Sequence, residues 1–239
     1  MDRFNTIIYE KDGVVAHVIL NRSHVINAYN MEMRDELYQV LGAVRDDPDI
    51  RVIILKGAGS KGFCSGADLK EFGSAPSQTI ARNVRWERDI WTRFLEIKKP
   101  IIAALHGYVL GSGLEMAMLC DIRISAESAI FGMPEVALSM IPAAGGTQTL
   151  PRICGVPHAL DLLLTNRRLN ASEAKKWGLI HKVVGDQFLA NEVKYLSKQI
   201  GSFNPKGLQS AKEALKRGLE MPLQDGLEME LRLSKNLIL

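Results

Sequence analysis

Apolar residues recur along the chain in two rhythms. After the turn-forming pair Asp12-Gly13, the run Val14, Val15, Val18, Ile19 and Leu20 has the density of a buried strand, and Val52, Ile53, Ile54 and Leu55 repeat it before Gly57-Ala58-Gly59. Between them Met33, Leu37, Val40, Leu41 and Val44 return at helical spacing from Asn30 until Asp46-Asp47-Pro48. Strand, helix, strand with short connections is the mark of an α/β chain. The pattern then predicts a loop over residues 73–77, one helix over 81–96 stopped by Lys98-Lys99-Pro100, and a third buried strand over 101–105. His106-Gly107-Tyr108-Val109-Leu110-Gly111 turns into a helix over 112–119, followed by short strands at 122–125 and 129–131. From Gly155 onward the pattern is helical: 157–164, 172–177 with Gly178 as its cap, 188–200, 205–217 and 222–237. The expectation is a chain mixed early and all-helical late, in one domain because no low-complexity linker divides it. Leu223, Leu227, Leu231 and Ile238 form a stripe on the last helix that a monomer would expose, which points to an oligomerisation layer.

Composition narrows the function classes. A chain of 239 residues, 46% hydrophobic and 24% charged, can bury a full core without disulfides or metals and is not a disordered segment. Thirty Lys and Arg against 27 Asp and Glu give a net charge of +3, too little for a sequence-independent grip on nucleic acid, though a small anionic ligand stays open. Cys64, Cys120 and Cys154 are too few and too scattered for a disulfide framework or a metal site, so reduced, buried thiols are expected. The first residues carry charges where a signal peptide needs an apolar run, and no stretch reaches the roughly 18 apolar residues of a membrane span, so the expected location is cytoplasmic.

Two glycine-bearing turns are the first candidates for chemistry, because backbone free of side chains presents N–H groups to an anion. One is Cys64-Ser65-Gly66-Ala67-Asp68-Leu69-Lys70; the other, Gly111-Ser112-Gly113-Leu114-Glu115, also opens a helix whose partial positive charge adds to its N–H groups. Glu115 lies among Leu114, Met116, Ala117, Met118 and Leu119, and Glu135 stands alone in Gly132-Met133-Pro134-Glu135-Val136-Ala137-Leu138. Two carboxylates in apolar surroundings suggest a pair working on one substrate or one water; two solvated glutamates are the bland alternative. Glycosidase chemistry also needs two carboxylates, but Trp86, Trp91 and Trp177 fall in helical patterns and read as core or interface residues, not as a sugar platform. His106 has no Cys or His at metal-ligand spacing and reads as structural, and no metal site is expected. Ser65 lacks a nucleophile elbow, Gly107 to Ser112 lacks the lysine of a P-loop, and Gly57-Ala58-Gly59 lacks the rest of a dinucleotide fingerprint.

Taken together, Phe63-Cys64-Ser65-Gly66-Ala67-Asp68-Leu69-Lys70-Glu71, His106 to Glu115, Phe131-Gly132-Met133-Pro134-Glu135 and Ile141-Pro142-Ala143-Ala144-Gly145-Gly146-Thr147-Gln148 resemble, in order and spacing, the enoyl-CoA hydratase/isomerase (crotonase) family. Asn21-Arg22 with Asn27-Ala28, and Leu169 to Ala174 with Gly178-Leu179, fit the same pattern. The resemblance implies an α/β fold, a crotonase-like spiral of ββα repeats over residues 1–185 carrying the active site. Residues 186–239 would be a C-terminal helical region of the same unit and a trimerisation layer, with self-association as a trimer or dimer of trimers. It implies an acyl-CoA substrate, so that coenzyme A arrives with the substrate and no separate cofactor is needed. The oxyanion hole would be the N–H groups of Ala67 and Ser112. Glu115 would be the base on water and Glu135 the acid that protonates C2, with the reverse split left open because coupled acids titrate as a pair. Contacts to CoA and the acyl group would come from Arg22, His24, Val25 and Ala28 on one segment and from Gly66, Asp68, Leu69, Lys70 and Gly111 on the two turns.

The sequence departs from the family pattern in places. Ser112 stands where Gly is frequent, Ala143 replaces the Gly after Ile-Pro, Thr149 replaces an Arg, and Ser23-His24 replaces Pro-Lys. Relatives continue past Asn236-Leu237-Ile238-Leu239 with a helix and a basic tail over CoA, which leaves Arg22, Lys70 and His24 as the cations expected at the phosphates. The presence of both glutamates favours hydration over isomerisation or thioester hydrolysis. A hydratase or isomerase for a cyclic or aromatic-pathway CoA ester is the alternative. An RNA-binding relative is the weakest reading, because Arg34 is the sole basic residue of the helix at 31–44.

Overall fold

The computed structural model describes residues 4–71, 73, 74 and 76–238. Strands β1 (Ile7–Asp12) and β2 (Val15–Leu20) form an antiparallel hairpin with Asp12 opposite Val15, across a turn in which Gly13 adopts φ 58°. The pattern did not predict β1, because of its six residues Ile7 alone is fully buried. Helix α1 (Met31–Asp46) starts where the Asn30 side chain accepts the Met33 N–H and buries the predicted face. It also buries Glu36, whose carboxylate accepts the N–H groups of Asn5, Thr6 and Ile7 and the Thr6 hydroxyl, tying β1 to the helix. β3 (Val52–Gly57) then lies parallel to β2.

The helix predicted over 81–96 is two helices, α2 (Gln78–Glu87) and α3 (Ile90–Glu96). They part because the Asp89 carboxylate accepts the N–H groups of Trp91 and Thr92 and so caps a new helix start. The loop expected ahead of them includes Ala75, which lies outside the described residues. Next come β4 (Ile101–Leu105), β5 (Tyr108–Leu110), α4 (Ser112–Leu119), β6 (Ile122–Ala126), β7 (Ile130–Gly132) and a 3-10 turn over Pro134–Leu138. The chain finishes as α5 (Gly146–Cys154), α6 (Val156–Thr165), β8 (Leu169–Asn170), α7 (Ala171–Lys176), β9 (Lys182–Val184), α8 (Leu189–Gly201), α9 (Pro205–Gly218) and α10 (Leu223–Ile238). The late part is therefore not all-helical. β8 and β9 are too short to leave a periodic signal and form only because a waiting strand pairs with each.

The strands sort into two layers. A six-stranded sheet runs β1-β2-β3-β4-β6-β9, parallel from β2 onward, and a three-stranded sheet runs β5-β7-β8. Each winding of the chain gives one strand to each layer and then a helix: β4, β5, α4, and again β6, β7, α5. The segment after β3 joins the second layer through isolated bridges, Gly62 with Gly107 and Cys64 with Val109. That is a spiral of ββα turns.

The outer face of the large sheet is covered by α8, whose Leu189, Val193 and Ile200 pack on Val52, Ile54, Ile102 and Ile124. The three cysteines are free and buried, and burial pushes the Cys64 and Cys120 thiols up to about 12. On α10, Leu223, Leu227 and Leu231 are exposed as the stripe requires, while the side chain of Ile238 lies outside the described residues. No helix among the described residues is long and apolar enough to cross a membrane.

Candidate active site

The two glycine-bearing turns meet at the ends of neighbouring segments of the second layer. Leu110 N–H donates to the Cys64 carbonyl, which carries the Gly66 turn and the Gly111 turn forward side by side. A Cβ on Gly66 would stand 3.2 Å from the Leu110 carbonyl oxygen, and one on Gly113 would stand 2.5 Å from the Cys64 carbonyl oxygen, so backbone packs on backbone here. On its other side Ala67 bridges Tyr29 in the parallel sense: Tyr29 N–H donates to Gly66 and Asp68 N–H donates to Tyr29. In a parallel bridge the opposed residue keeps its own N–H and C=O on the far side. The Ala67 N–H therefore points away from Tyr29. Ser112 is the first residue of α4, where helix geometry leaves the N–H without an intrahelical acceptor. Both residues line one cavity of about 520 Å³.

Glu115 and Glu135 line the same cavity, in different environments. Glu115 is 2% exposed, and its Oε1 accepts the N–H of Ala144 at 3.0 Å and of Gly146 at 2.8 Å. Gly146 opens α5, so this carboxylate caps the positive end of a helix, an arrangement that stabilises its negative charge. Glu135 sits in the turn after β7, and its Oε2 is buried with no hydrogen-bond partner among the described residues. Burial, reinforced by the charge of Glu115 and opposed by its own backbone N–H, pushes the Glu135 carboxyl up to about 7. One carboxylate is thus held by two N–H donors at a helix start, while its neighbour's carboxyl is raised toward neutral pH.

Of the residues expected at CoA, Gly66, Leu69 and Gly111 line this cavity. Arg22, Val25, Ala28 and Asp68 are not among its lining residues and belong to a hydrogen-bonded bracket instead. Arg22 Nη1 donates to Asp68 at 2.9 Å and to the Ala28 carbonyl at 2.6 Å, and the Val25 carbonyl accepts the Ser65 hydroxyl at 3.3 Å. Against the burial that would raise it, the Arg22 bond holds the Asp68 carboxyl below the usual range. His24 and Lys70 are exposed, on turns adjoining the cavity. His106 places Nε2 2.9 Å from the Gly59 carbonyl oxygen, as a structural histidine would, and burial lowers its pKa.

The sequence reading missed the N–H groups of Ala144 and Gly146 as the holders of Glu115, although Gly145-Gly146 at a helix start was a visible signal. Of the tryptophans read as core or interface residues, Trp91 and Trp177 pack against the main core. Trp91 lines the cavity, Trp86 is 69% exposed, and Trp177 stacks on His158 at 4.3 Å near the surface. Among the described residues, no three His, Cys, Asp or Glu side chains come together as metal ligands.

A family model described as enoyl-CoA hydratase/isomerase matches residues 10–238. The chain belongs to the enoyl-CoA hydratase/isomerase family. It is 37% identical, over 95% of its length and 87% of that protein, to a short-chain-enoyl-CoA hydratase of Clostridium acetobutylicum. It is also 37% identical, over 92% of its length and 86% of that protein, to an (E)-benzylidenesuccinyl-CoA hydratase of Thauera aromatica. The crystal structure of an enoyl-CoA hydratase from Bacillus anthracis superposes with a TM-score of 0.91 at 37% identity, covering 98% of this chain and 91% of that one. The spiral architecture is therefore that of family members of known structure.

Proposed function

We propose that the protein is an enoyl-CoA hydratase, a hydro-lyase that adds water reversibly across the 2,3 double bond of a 2-enoyl-CoA thioester. The observation that carries this reading is the unequal pair of glutamates in one cavity with two outward-facing backbone N–H groups. The Ala67 and Ser112 N–H groups donate to the thioester carbonyl oxygen, which makes C3 electrophilic and stabilises the enolate. Such a donor is worth roughly 10²- to 10³-fold in rate. Anionic Glu115 takes a proton from water as the water oxygen bonds to C3, and protonated Glu135 delivers its proton to C2. The proton gained by Glu115 balances the one lost by Glu135. Coenzyme A is part of the substrate, and its phosphates fall to the exposed Lys70 and His24, because Arg22 is bonded to Asp68 and Ala28. The exposed leucines of α10 supply a self-association surface, for a trimer or dimer of trimers.

The test is loss of enoyl thioester absorbance with crotonyl-CoA, for the wild type, Glu115→Gln and Glu135→Gln. Each variant keeps volume but removes a proton-transfer role, worth roughly 10²- to 10⁴-fold. A loss under about fivefold in either variant, with the fold intact by circular dichroism, overturns the assignment.

A further inference from the structure

Adjoining the catalytic cavity is a second pocket of about 860 Å³, open to solvent along Trp86 and Leu95, and the two share Trp91, Ala143 and Ala144 as lining. Beyond the shared wall the second cavity is lined by apolar Trp86, Leu95 and Leu119, with Gln148 and Arg152 among the polar residues around it. Of the three shared residues, two carry only a methyl group, so the indole of Trp91 is the bulky part of the partition. That ring is held in place. Its backbone N–H donates to Asp89 Oδ1 at 2.9 Å, the flanking Ile90 and Phe94 are buried, and its plane meets the Tyr29 ring at 53° with 5.9 Å between centroids. The wall also stands close to the chemistry, because Ala144 is itself one of the two N–H donors to Glu115. An acyl chain whose C2 and C3 lie between the glutamates therefore meets the partition after a few carbons.

Resting on the hydratase reading, we propose that Trp91 is the specificity-determining residue of this enzyme. It closes the acyl end of the catalytic cavity, restricts the substrate to short 2-enoyl groups, and screens a latent tail cavity that its removal would open to long chains. A methylene moved from water into such a cavity is worth about fourfold in binding, so even a partly threaded tail has a large effect.

The experiment measures kcat/KM for straight-chain 2-enoyl-CoA esters of increasing length, from crotonyl to dodecenoyl, with the wild type, Trp91→Ala, Trp91→Phe and the double variant Trp91→Ala/Gln148→Trp. The wild type is expected to favour the shortest esters. Trp91→Ala should raise the decenoyl-to-crotonyl ratio at least tenfold, Trp91→Phe should raise it less, and the added indole at position 148 should refill the second cavity and bring the ratio back. A wild type that hydrates crotonyl and decenoyl esters equally well overturns the inference. So does a ratio unchanged in both Trp91 variants, or a gain that the Gln148→Trp substitution does not reverse. If Trp91→Ala fails to fold, the Trp91→Phe ratio decides. Absence of hydration by the wild type at every length overturns the hydratase reading itself, whereas hydration of crotonyl-CoA with an unchanged length profile in the variants overturns the role of Trp91 alone.

Discussion

Raising the pH should switch the enzyme off from the Glu135 side, in both reaction directions. Burial and the neighbouring Glu115 charge place the Glu135 carboxyl at about 7. A group with that pKa is about nine-tenths protonated at pH 6 and about one-tenth at pH 8, so kcat/KM for hydration should fall roughly tenfold between them and tenfold per unit beyond. Dehydration of the 3-hydroxyacyl thioester needs the opposite microstate, with Glu135 anionic and Glu115 protonated. Yet both microstates hold one proton on the pair, and the reaction takes up no net proton, so the ratio of the two kcat/KM values cannot vary with pH. Dehydration must show the same alkaline limb, although Glu135 acts there as a base. The assay follows crotonyl-CoA and 3-hydroxybutyryl-CoA by enoyl absorbance from pH 5 to 9, beside the residual rate of Glu135→Gln. A flat profile through pH 8.5, a break near the ordinary carboxylate range, or a limb that survives in Glu135→Gln would refute the assignment of the proton to Glu135.

Three further outcomes follow from the same geometry. Gly146→Ala places a Cβ 2.8 Å from Glu115 Oε1, 2.6 Å from Met133 Cε and 2.7 Å from Pro142 Cβ, which should push Glu115 off its donors, lower kcat by about 10²-fold and cost about 1–3 kcal/mol of stability; a loss of kcat under threefold in the folded variant would show that the carboxylate tolerates the shift. Glu135→Gln should stabilise the fold as pH rises. The wild-type carboxyl titrates higher folded than unfolded, so its stability declines between about pH 4.5 and 7 and is level above, and the variant's advantage, on the order of 1–3 kcal/mol in urea melts, should be present at pH 8 and absent at pH 4. Leu223, Leu227 and Leu231 are 78%, 50% and 55% exposed in the single chain, so light scattering at micromolar concentration should give a trimeric or hexameric mass, and a monomeric mass would contradict the interface.

Much of this protein was determined by its sequence alone, wherever the information is local. The buried runs at Val52–Gly57 and Ile101–Leu105, the periodic face of Met31–Asp46 and the glycine turns at Gly66 and Gly111 each declare themselves within a few residues, because side-chain period and backbone freedom are local properties. The motifs that carry the family resemblance are local as well, and they singled out Ala67, Ser112, Glu115 and Glu135 before any geometry was at hand. What only the tertiary structure decided is relational. β8 is two residues long and exists because β7 offers it partners, and the helix expected over residues 81–96 breaks because one carboxylate, at Asp89, finds two free N–H groups. The two glutamates looked alike in sequence, each a lone acid among apolar neighbours. Their difference comes from distant chain: Ala144 and Gly146, 29 and 31 residues from Glu115, supply it with donors, while Glu135 is buried with Oε2 unmatched. Trp91 read as a core or interface residue and does pack against the core, but that it also lines two cavities was not legible, because helical spacing records which face is covered and not what lies beside it. A carboxylate's charge and an indole's role as a wall depend on what stands within a few ångströms in space, and a sequence records neighbours along the chain only.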